Sequence, residues 1–281
     1  MGLITHIDGA AKGYEEVTLP LSLDEPRGTQ SRSATVLRRR SARPTKRAVI
    51  YLHGMRDAFV PADLASWYTD RGFDFYVADL RVGAPGRPAP DGRAEAPAEY
   101  FACLDAAVRH VRDADGIETV VLCAHAAGAL IAALWCHARR GSLSADALIL
   151  ISPEFGPTGW WLARTMPGGE LSGSARGPRP LLTGAQRRLR RGLEIGCPVL
   201  VMCPSAGWDA PGGSGGLLAA RRLLTAGRST VRLGAHVTWL KLDGGLPGQA
   251  LPDGPDRKRF FDELGRWLGA YLSGQVRDQL L

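Results

Sequence analysis

Apolar runs of β-type residues alternate with amphipathic stretches along most of the chain. Continuous apolar runs predict strands that are covered on both faces, and the periodic stretches between them predict helices. The predicted strands are residues 14–22, 33–39, 48–52, 73–78, 120–124, 147–151, 198–203 and 236–242. The predicted helices are residues 61–71, 95–113, 130–135 and 256–272. This alternation predicts the α/β class, with a doubly wound, mostly parallel sheet.

The alternation stops between Ser152 and Gly196. That interval holds Gly and Pro residues, the Trp160–Trp161 pair and an arginine-rich helical stretch. We interpret about 153–196 as a small cap inserted over the carboxyl ends of the strands, where open α/β sheets bind ligands. Because neither a linker nor an internal repeat is visible, residues 1–281 are predicted to form a single domain that carries this cap.

The middle of the chain holds an apolar strand, a tight turn of small residues and a helix, in that order. This is the context of a nucleophile elbow, whose pattern is G-x-S-x-G. Here the five positions read Ala124-His125-Ala126-Ala127-Gly128. Ala126 occupies the serine position, and a methyl group cannot attack a carbonyl. The sequence therefore predicts an elbow without its nucleophile.

Four stretches together resemble the α/β-hydrolase fold superfamily. They are residues 47–54, 79–81, 120–135 and 236–245. The chain is most similar to the serine aminopeptidase-like branch, which contains monoacylglycerol lipase and lysophospholipase-like enzymes. The resemblance covers nearly the whole chain, and it implies an α/β-hydrolase fold.

The resemblance also implies which catalytic positions have changed. The nucleophilic serine of the family falls on Ala126, and the catalytic histidine falls on Pro247. The family's acid lies in the loop after the preceding strand, where Asp209 is the sole carboxylate. Serine hydrolysis needs the nucleophile, the base and the acid together. The resemblance therefore supports the fold without supporting hydrolysis.

Backbone groups can survive such side-chain losses. The N–H groups of Met55 and Ala127 are the predicted oxyanion hole, which would polarise a substrate carbonyl. Asp209, Glu154 and His125 are the candidate acid–base residues. His125 has two interpretations, a histidine buried beneath the turn or a base that faces the pocket.

Five further residues are candidate substrate contacts, and each also has a structural interpretation. His53 either contacts substrate or orients the oxyanion loop, and Asp57 either binds substrate or is solvated. Three tryptophans would line a deep apolar pocket or form the core of the cap. They are Trp160, Trp161 and Trp208.

The net charge of +7 comes mostly from arginine, with clusters at 38–40 and 187–191. Because no nucleic-acid recognition motif accompanies the charge, we interpret these arginines as solvated and expect no nucleic-acid partner. His110 and His137 lie on predicted helices and are expected at the surface. Neither a metal-ligand spacing nor a phosphate loop is found, so no cofactor and no metal are expected.

The chain's five cysteines are odd in number, and most lie in apolar runs. Free, buried thiols in a reducing cytoplasm fit this pattern better than disulfides. No apolar run is long enough to span a membrane, and residues 1–8 do not resemble a secretion signal. A cytoplasmic protein is therefore predicted, with a small molecule as its partner.

Three functions remain open. The first is a non-hydrolytic enzyme that binds a hydrophobic carbonyl compound and catalyses cyclisation, elimination or isomerisation in secondary-metabolite biosynthesis. The second is an esterase- or lipase-like serine hydrolase inactivated by a Ser-to-Ala change at 126. Pro247 argues against the second, because one substitution does not explain two lost positions. The third is a binding protein without catalysis.

Overall fold

A computed structural model describes most of the sheet and the helices that pack on it. The described residues are 13–21, 33–53, 61–83, 97–153, 155, 187–204, 228, 232–234, 236–242 and 255–272. The strands are β1 (Glu15–Pro20), β2 (Ser33–Arg39), β3 (Arg47–Leu52), β4 (Asp74–Gly83), β5 (Thr119–His125), β6 (Ala147–Ile151), β7 (Val199–Pro204) and β8 (Val237–Leu242). The helices are α1 (Ala62–Thr69), α2 (Pro97–Arg109), α3 (Ala127–Ala138) and α4 (Pro255–Leu272), and a π-helical turn (His110–Ala114) continues α2.

Each predicted strand is present, and most strand ends agree within one or two residues. The exception is β4, which continues to Gly83, five residues beyond the predicted end. Antiparallel pairing with β2 accounts for the extension, because Ser33 at the start of β2 pairs with Gly83. A polar strand end next to a Gly/Pro-rich stretch carries no local signal for such pairing.

The eight strands form one sheet in the order β1-β2-β4-β3-β5-β6-β7-β8. β1 and β2 pair antiparallel, as do β2 and β4. All other neighbours are parallel, which confirms the predicted mostly parallel sheet. β3 lies between β4 and β5, so the strand order reverses there. In open α/β sheets, the carboxyl ends of the strands at such a reversal form the ligand-binding crevice.

The central strands are covered on both faces, which explains their uninterrupted apolar sequences. On β3, Ile50 and Leu52 pack in one cluster with α2 and α3. Val49 and Tyr51 point the opposite way, into a second cluster with α1 and α4. The edge strand β1 instead has four exposed positions, with Val17 partly buried and Leu19 buried.

The segment 187–195 packs on the same layer as α3. Leu189, Leu193 and Ile195 are buried in the cluster that contains that helix. Residues 154 and 156–186 lie outside the described residues, so the cap itself remains a prediction.

The described cysteines are all free, and all except the partly exposed Cys197 are buried. His137, by contrast, was expected at the surface and is buried, so that prediction is wrong. The backbone N–H of Glu194 donates to His137 Nδ1 over 2.9 Å, and Arg188 Nη2 lies 3.0 Å from His137 Nε2. Burial lowers the pKa of His137, and the nearby Arg140 and Arg188 lower it further.

Arg38 and Arg40 are ion-paired rather than simply solvated. Both donate to Asp115 Oδ1, over 2.7 Å from Arg38 and 2.8 Å from Arg40. Tyr76 Oη donates to the other oxygen of Asp115 over 2.7 Å. Arg40 also donates to Asp74 over 2.8 Å. These bonds tie β2, β4 and the π-helical turn together at the edge where β3 and β4 begin.

None of the described helices combines the length and the apolar character that a membrane span requires.

Candidate functional site

The turn between β5 and α3 has the strained backbone of an elbow. Ala126 has φ 50° and ψ −119°, a region that residues with a side chain rarely adopt. Its N–H donates to the carbonyl of Ile151 on β6 over 3.1 Å, and its carbonyl accepts from Ala129 N–H over 3.2 Å. The long-range bond to Ile151 holds the turn against the neighbouring strand. The strained elbow is therefore kept although its serine is absent.

Gly128 lets α3 begin in direct contact with the end of β3. A Cβ atom at Gly128 would lie 2.5 Å from the carbonyl oxygen of His53 and 3.2 Å from that of Leu52. Backbone atoms cannot move aside as a flexible side chain can. The last glycine of the elbow pattern is thus required by close packing.

The first turn of α3 begins at the carboxyl end of β5, beside the crevice. The N–H groups of a helix's first turn have no acceptor four residues earlier within the helix, and they carry the positive end of the helix dipole. Ala127 directly follows the strained residue and is the first residue of α3. Its N–H is one of the two predicted oxyanion donors, and Met55 lies outside the described residues.

His53 directly follows β3 and is buried. Its Nε2 atom lies 3.8 Å from Asp79 Oδ1 on β4, and the two side chains are only 5% and 2% exposed. This contact favours the structural interpretation of His53, in which the ring holds the start of the oxyanion loop. Asp79 belongs to the stretch 79–81 that resembles the family, and no local sequence pattern indicates its proximity to His53.

His125 is the last residue of β5 and pairs with Ile151 of β6. Its side chain is buried, with 7% exposure. Burial at this position favours the histidine packed beneath the turn over the base that faces the pocket. Its catalytic role remains a prediction.

Ser152 is a position that sequence reasoning missed. It has φ 46°, and within the described residues it and Ala126 are the non-glycine residues with positive φ. Its N–H donates to the carbonyl of Met202 on β7 over 2.8 Å. Ser152 directly follows Ile151, whose carbonyl accepts from Ala126 N–H. The two strained residues, Ala126 and Ser152, therefore lie at the ends of the adjacent strands β5 and β6. The sequence feature that could have indicated this position is the Ser-Pro dipeptide directly after a buried strand.

The structure thus brings His53, His125, Ala126, Ala127 and Ser152 to the carboxyl ends of β3, β5 and β6. The other predicted site residues lie outside the described residues. They are Met55, Asp57, Glu154, Trp160, Trp161, Trp208, Asp209 and Pro247. Within the described part of the chain, no three His, Cys, Asp or Glu side chains are grouped to hold a metal ion.

A mostly parallel eight-stranded sheet with a strained turn between β5 and α3 defines the class of protein. The chain has the α/β-hydrolase fold. Residues 43–177 match the family model described as serine aminopeptidase, S33, which confirms the resemblance to that branch over this segment.

Solved structures with the same fold include proteins named as an esterase and as a putative hydrolase. Est1E from Butyrivibrio proteoclasticus has a TM-score of 0.59 at 13% identity, over 91% of this chain and 99% of that protein. A putative hydrolase from Agrobacterium vitis has a TM-score of 0.60 at 16% identity, over 90% of this chain and 98% of that protein. A hyperthermophilic esterase from the archaeon Pyrobaculum calidifontis has a TM-score of 0.59 at 17% identity, over 90% of this chain and 82% of that protein. No curated protein sequence matches the chain. Identities this low establish the shared fold alone.

Proposed function

We propose that the protein is a non-hydrolytic enzyme that binds a hydrophobic carbonyl compound at the elbow and catalyses cyclisation, elimination or isomerisation. The supporting observation is the φ of 50° at Ala126. Such a backbone costs on the order of 1–3 kcal/mol. In a serine hydrolase the strain exposes the nucleophile, and here the feature it still provides is the position of the Ala127 N–H.

The proposed chemistry begins with a substrate carbonyl that accepts hydrogen bonds from the N–H groups of Met55 and Ala127. Each such donor contributes roughly 3–4 kcal/mol in a working hydrolase. Polarisation acidifies the α-carbon, and the carboxylate of Asp209 or Glu154 takes its proton. The resulting enolate then takes the proton back from the carboxylic acid at a different atom, which is isomerisation, or expels a leaving group from the β-carbon, which is elimination. For cyclisation it attacks an electrophilic carbon of the same substrate and closes a ring. Trp160, Trp161 and Trp208 are the proposed apolar lining.

An inactivated serine hydrolase is the second candidate. The intact elbow geometry and the match to the serine aminopeptidase family favour it. The two candidates differ at position 247, where a hydrolase needs its histidine. For either candidate we propose a cytoplasmic location, and the free thiols support it because a reducing compartment keeps cysteines unpaired.

The first prediction concerns the missing nucleophile. We expect the wild-type chain neither to hydrolyse p-nitrophenyl acetate nor to react with a fluorophosphonate probe. Ala126→Ser alone should also fail, because Pro247 occupies the position of the family's histidine, which would activate the serine. The double variant Ala126→Ser/Pro247→His supplies both groups and should gain labelling. A serine esterase of the same fold is the positive control. Rapid hydrolysis by Ala126→Ser alone would instead identify an inactivated hydrolase.

The second prediction concerns the proposed bases. Enolisation is measured as deuterium uptake from D₂O at the α-carbon of carbonyl compounds in a test panel. Asp209→Asn or Glu154→Gln removes a candidate base with little change of shape. The variant that lacks the true base should exchange at least about 10²-fold more slowly than wild type. Asp113→Asn, an exposed carboxylate on the π-helical turn, is the matched control. Full exchange in both variants would show that neither carboxylate is the base. No exchange with any compound would favour a binding protein.

A further inference from the structure

A groove opens at the edge of the sheet opposite the elbow. It lies between the β2–β3 connection, residues 39–47, and the turn after α1, residues 69–72. The strands β3 and β4 begin beside it, whereas the elbow lies at their carboxyl ends. Its volume of about 790 Å³ falls in the range typical of small-molecule sites. This groove is separate from the crevice discussed above.

Arginine dominates the lining of the groove. Five arginines and a single acidic residue, Asp70, are among the residues that line it. Arg40 is neutralised by Asp74 and Asp115, each over 2.8 Å. The other four form no ion pair with a carboxylate in the part of the chain that the structure describes. They are Arg39, Arg43, Arg47 and Arg71.

Three of these four guanidinium groups are held in place by neutral contacts. Arg39 Nη1 donates to Ser66 Oγ over 3.1 Å. Arg47 Nη2 donates to the carbonyl of Arg71 over 3.0 Å, and its guanidinium lies 4.6 Å from the centre of the Phe73 ring. The Arg71 guanidinium lies 4.2 Å from the centre of the Trp67 ring. A guanidinium has five N–H donors, so these contacts position the charges without neutralising them.

The two walls of the groove are also bonded to each other. Thr45 Oγ1 donates to the carbonyl of Gly72 over 2.6 Å. Ser41 Oγ donates to the carbonyl of Thr69 over 3.1 Å. A charged groove whose walls are already tied together needs little ordering when a ligand enters, which favours binding.

We propose that this groove binds a phosphorylated small molecule with at least two phosphate groups. Planar guanidinium forks match the geometry of phosphate oxygens, and one phosphate cannot neutralise four arginines. A concave site of this size fits a compact polyanion better than it fits a flat acidic protein surface. The aromatic rings behind the groove, Trp67 and Phe73, are 9% and 4% exposed. They offer little stacking surface, so the groove does not favour single-stranded nucleic acid.

The test is calorimetric titration of the full chain with tripolyphosphate at about 150 mM salt, where non-specific attraction is screened. We expect saturable binding of one molecule per chain. Arg43→Gln removes an exposed charge of the groove, and Arg191→Gln removes an exposed charge of the segment 187–195. Arg43→Gln should weaken binding about tenfold or more, whereas Arg191→Gln should change it less than about twofold. Arg39→Gln provides a second groove variant.

Three outcomes would overturn the proposal. One is the absence of saturable binding, and another is equal weakening by Arg43→Gln and Arg191→Gln, since that would reflect the net charge alone. The third is a single-stranded oligonucleotide that binds at least about tenfold more tightly than tripolyphosphate and is weakened equally by both variants. That result would indicate an extended nucleic-acid surface. Because the titration does not involve the elbow, its failure leaves the proposed carbonyl chemistry unaffected.

Discussion

Replacing Gly128 with alanine is expected to lower the free energy of unfolding by about 3 kcal/mol, at the upper end of the cost of overpacking. The new Cβ atom would lie 2.5 Å from the His53 carbonyl oxygen, so the start of α3 must move away from β3. Urea denaturation followed by circular dichroism measures the change. The thermal midpoint should fall by roughly 5–10 °C.

Gly269→Ala is the matched control for this substitution. A Cβ atom at Gly269 in α4 has no neighbour within 4 Å. This variant should keep the wild-type stability or gain up to about 1 kcal/mol, because alanine favours the helix. Equal stability of Gly128→Ala and wild type would contradict the close approach of α3 to β3. Gly128→Ala should also shift the Ala127 N–H, so any carbonyl turnover should fall with it.

Replacing Asp115 with alanine is expected to destabilise the fold by about 2–3 kcal/mol at pH 7, within the range for hydrogen bonds to a charged group. Its side chain is 7% exposed and accepts hydrogen bonds from Arg38, Arg40 and Tyr76. Without it, the buried Tyr76 hydroxyl loses the partner that satisfies it, which is costly in itself. Urea midpoints of wild type and variant measure the difference.

The pH dependence of this effect has a definite sign. Burial alone would raise the pKa of Asp115, but the hydrogen bonds from Tyr76 and Arg38 outweigh burial and lower it. A lowered folded-state pKa stabilises the protein above the unfolded value of about 3.9, and this contribution is lost as the pH falls through the folded-state pKa. The difference in the free energy of unfolding between wild type and Asp115→Ala should therefore become smaller below about pH 4. Asp113→Ala replaces an exposed neighbour, so its free energy of unfolding should equal that of wild type both at pH 7 and below about pH 4.

The sequence predicted the elements of the fold well because their signals are local. β3 and β6 are uninterrupted apolar runs, and such runs occur where a strand is buried on both faces. The elbow was also readable, because a strand, small residues and a helix follow one another directly. Residues that depend on distant partners were predicted less well. His137 is buried by residues 188 and 194, which lie more than fifty positions away.

The sequence by itself determined the α/β class, the positions of the strands, the absence of a nucleophile at Ala126 and the presence of Gly128. These features follow from residue type and short-range periodicity. Only the tertiary structure decided that the elbow keeps its strain, since a bond to Ile151 on another strand holds it. Likewise, it placed His53 beside Asp79 and gathered arginines from two segments into one groove. Such contacts join residues that are far apart in sequence, so no local pattern encodes them.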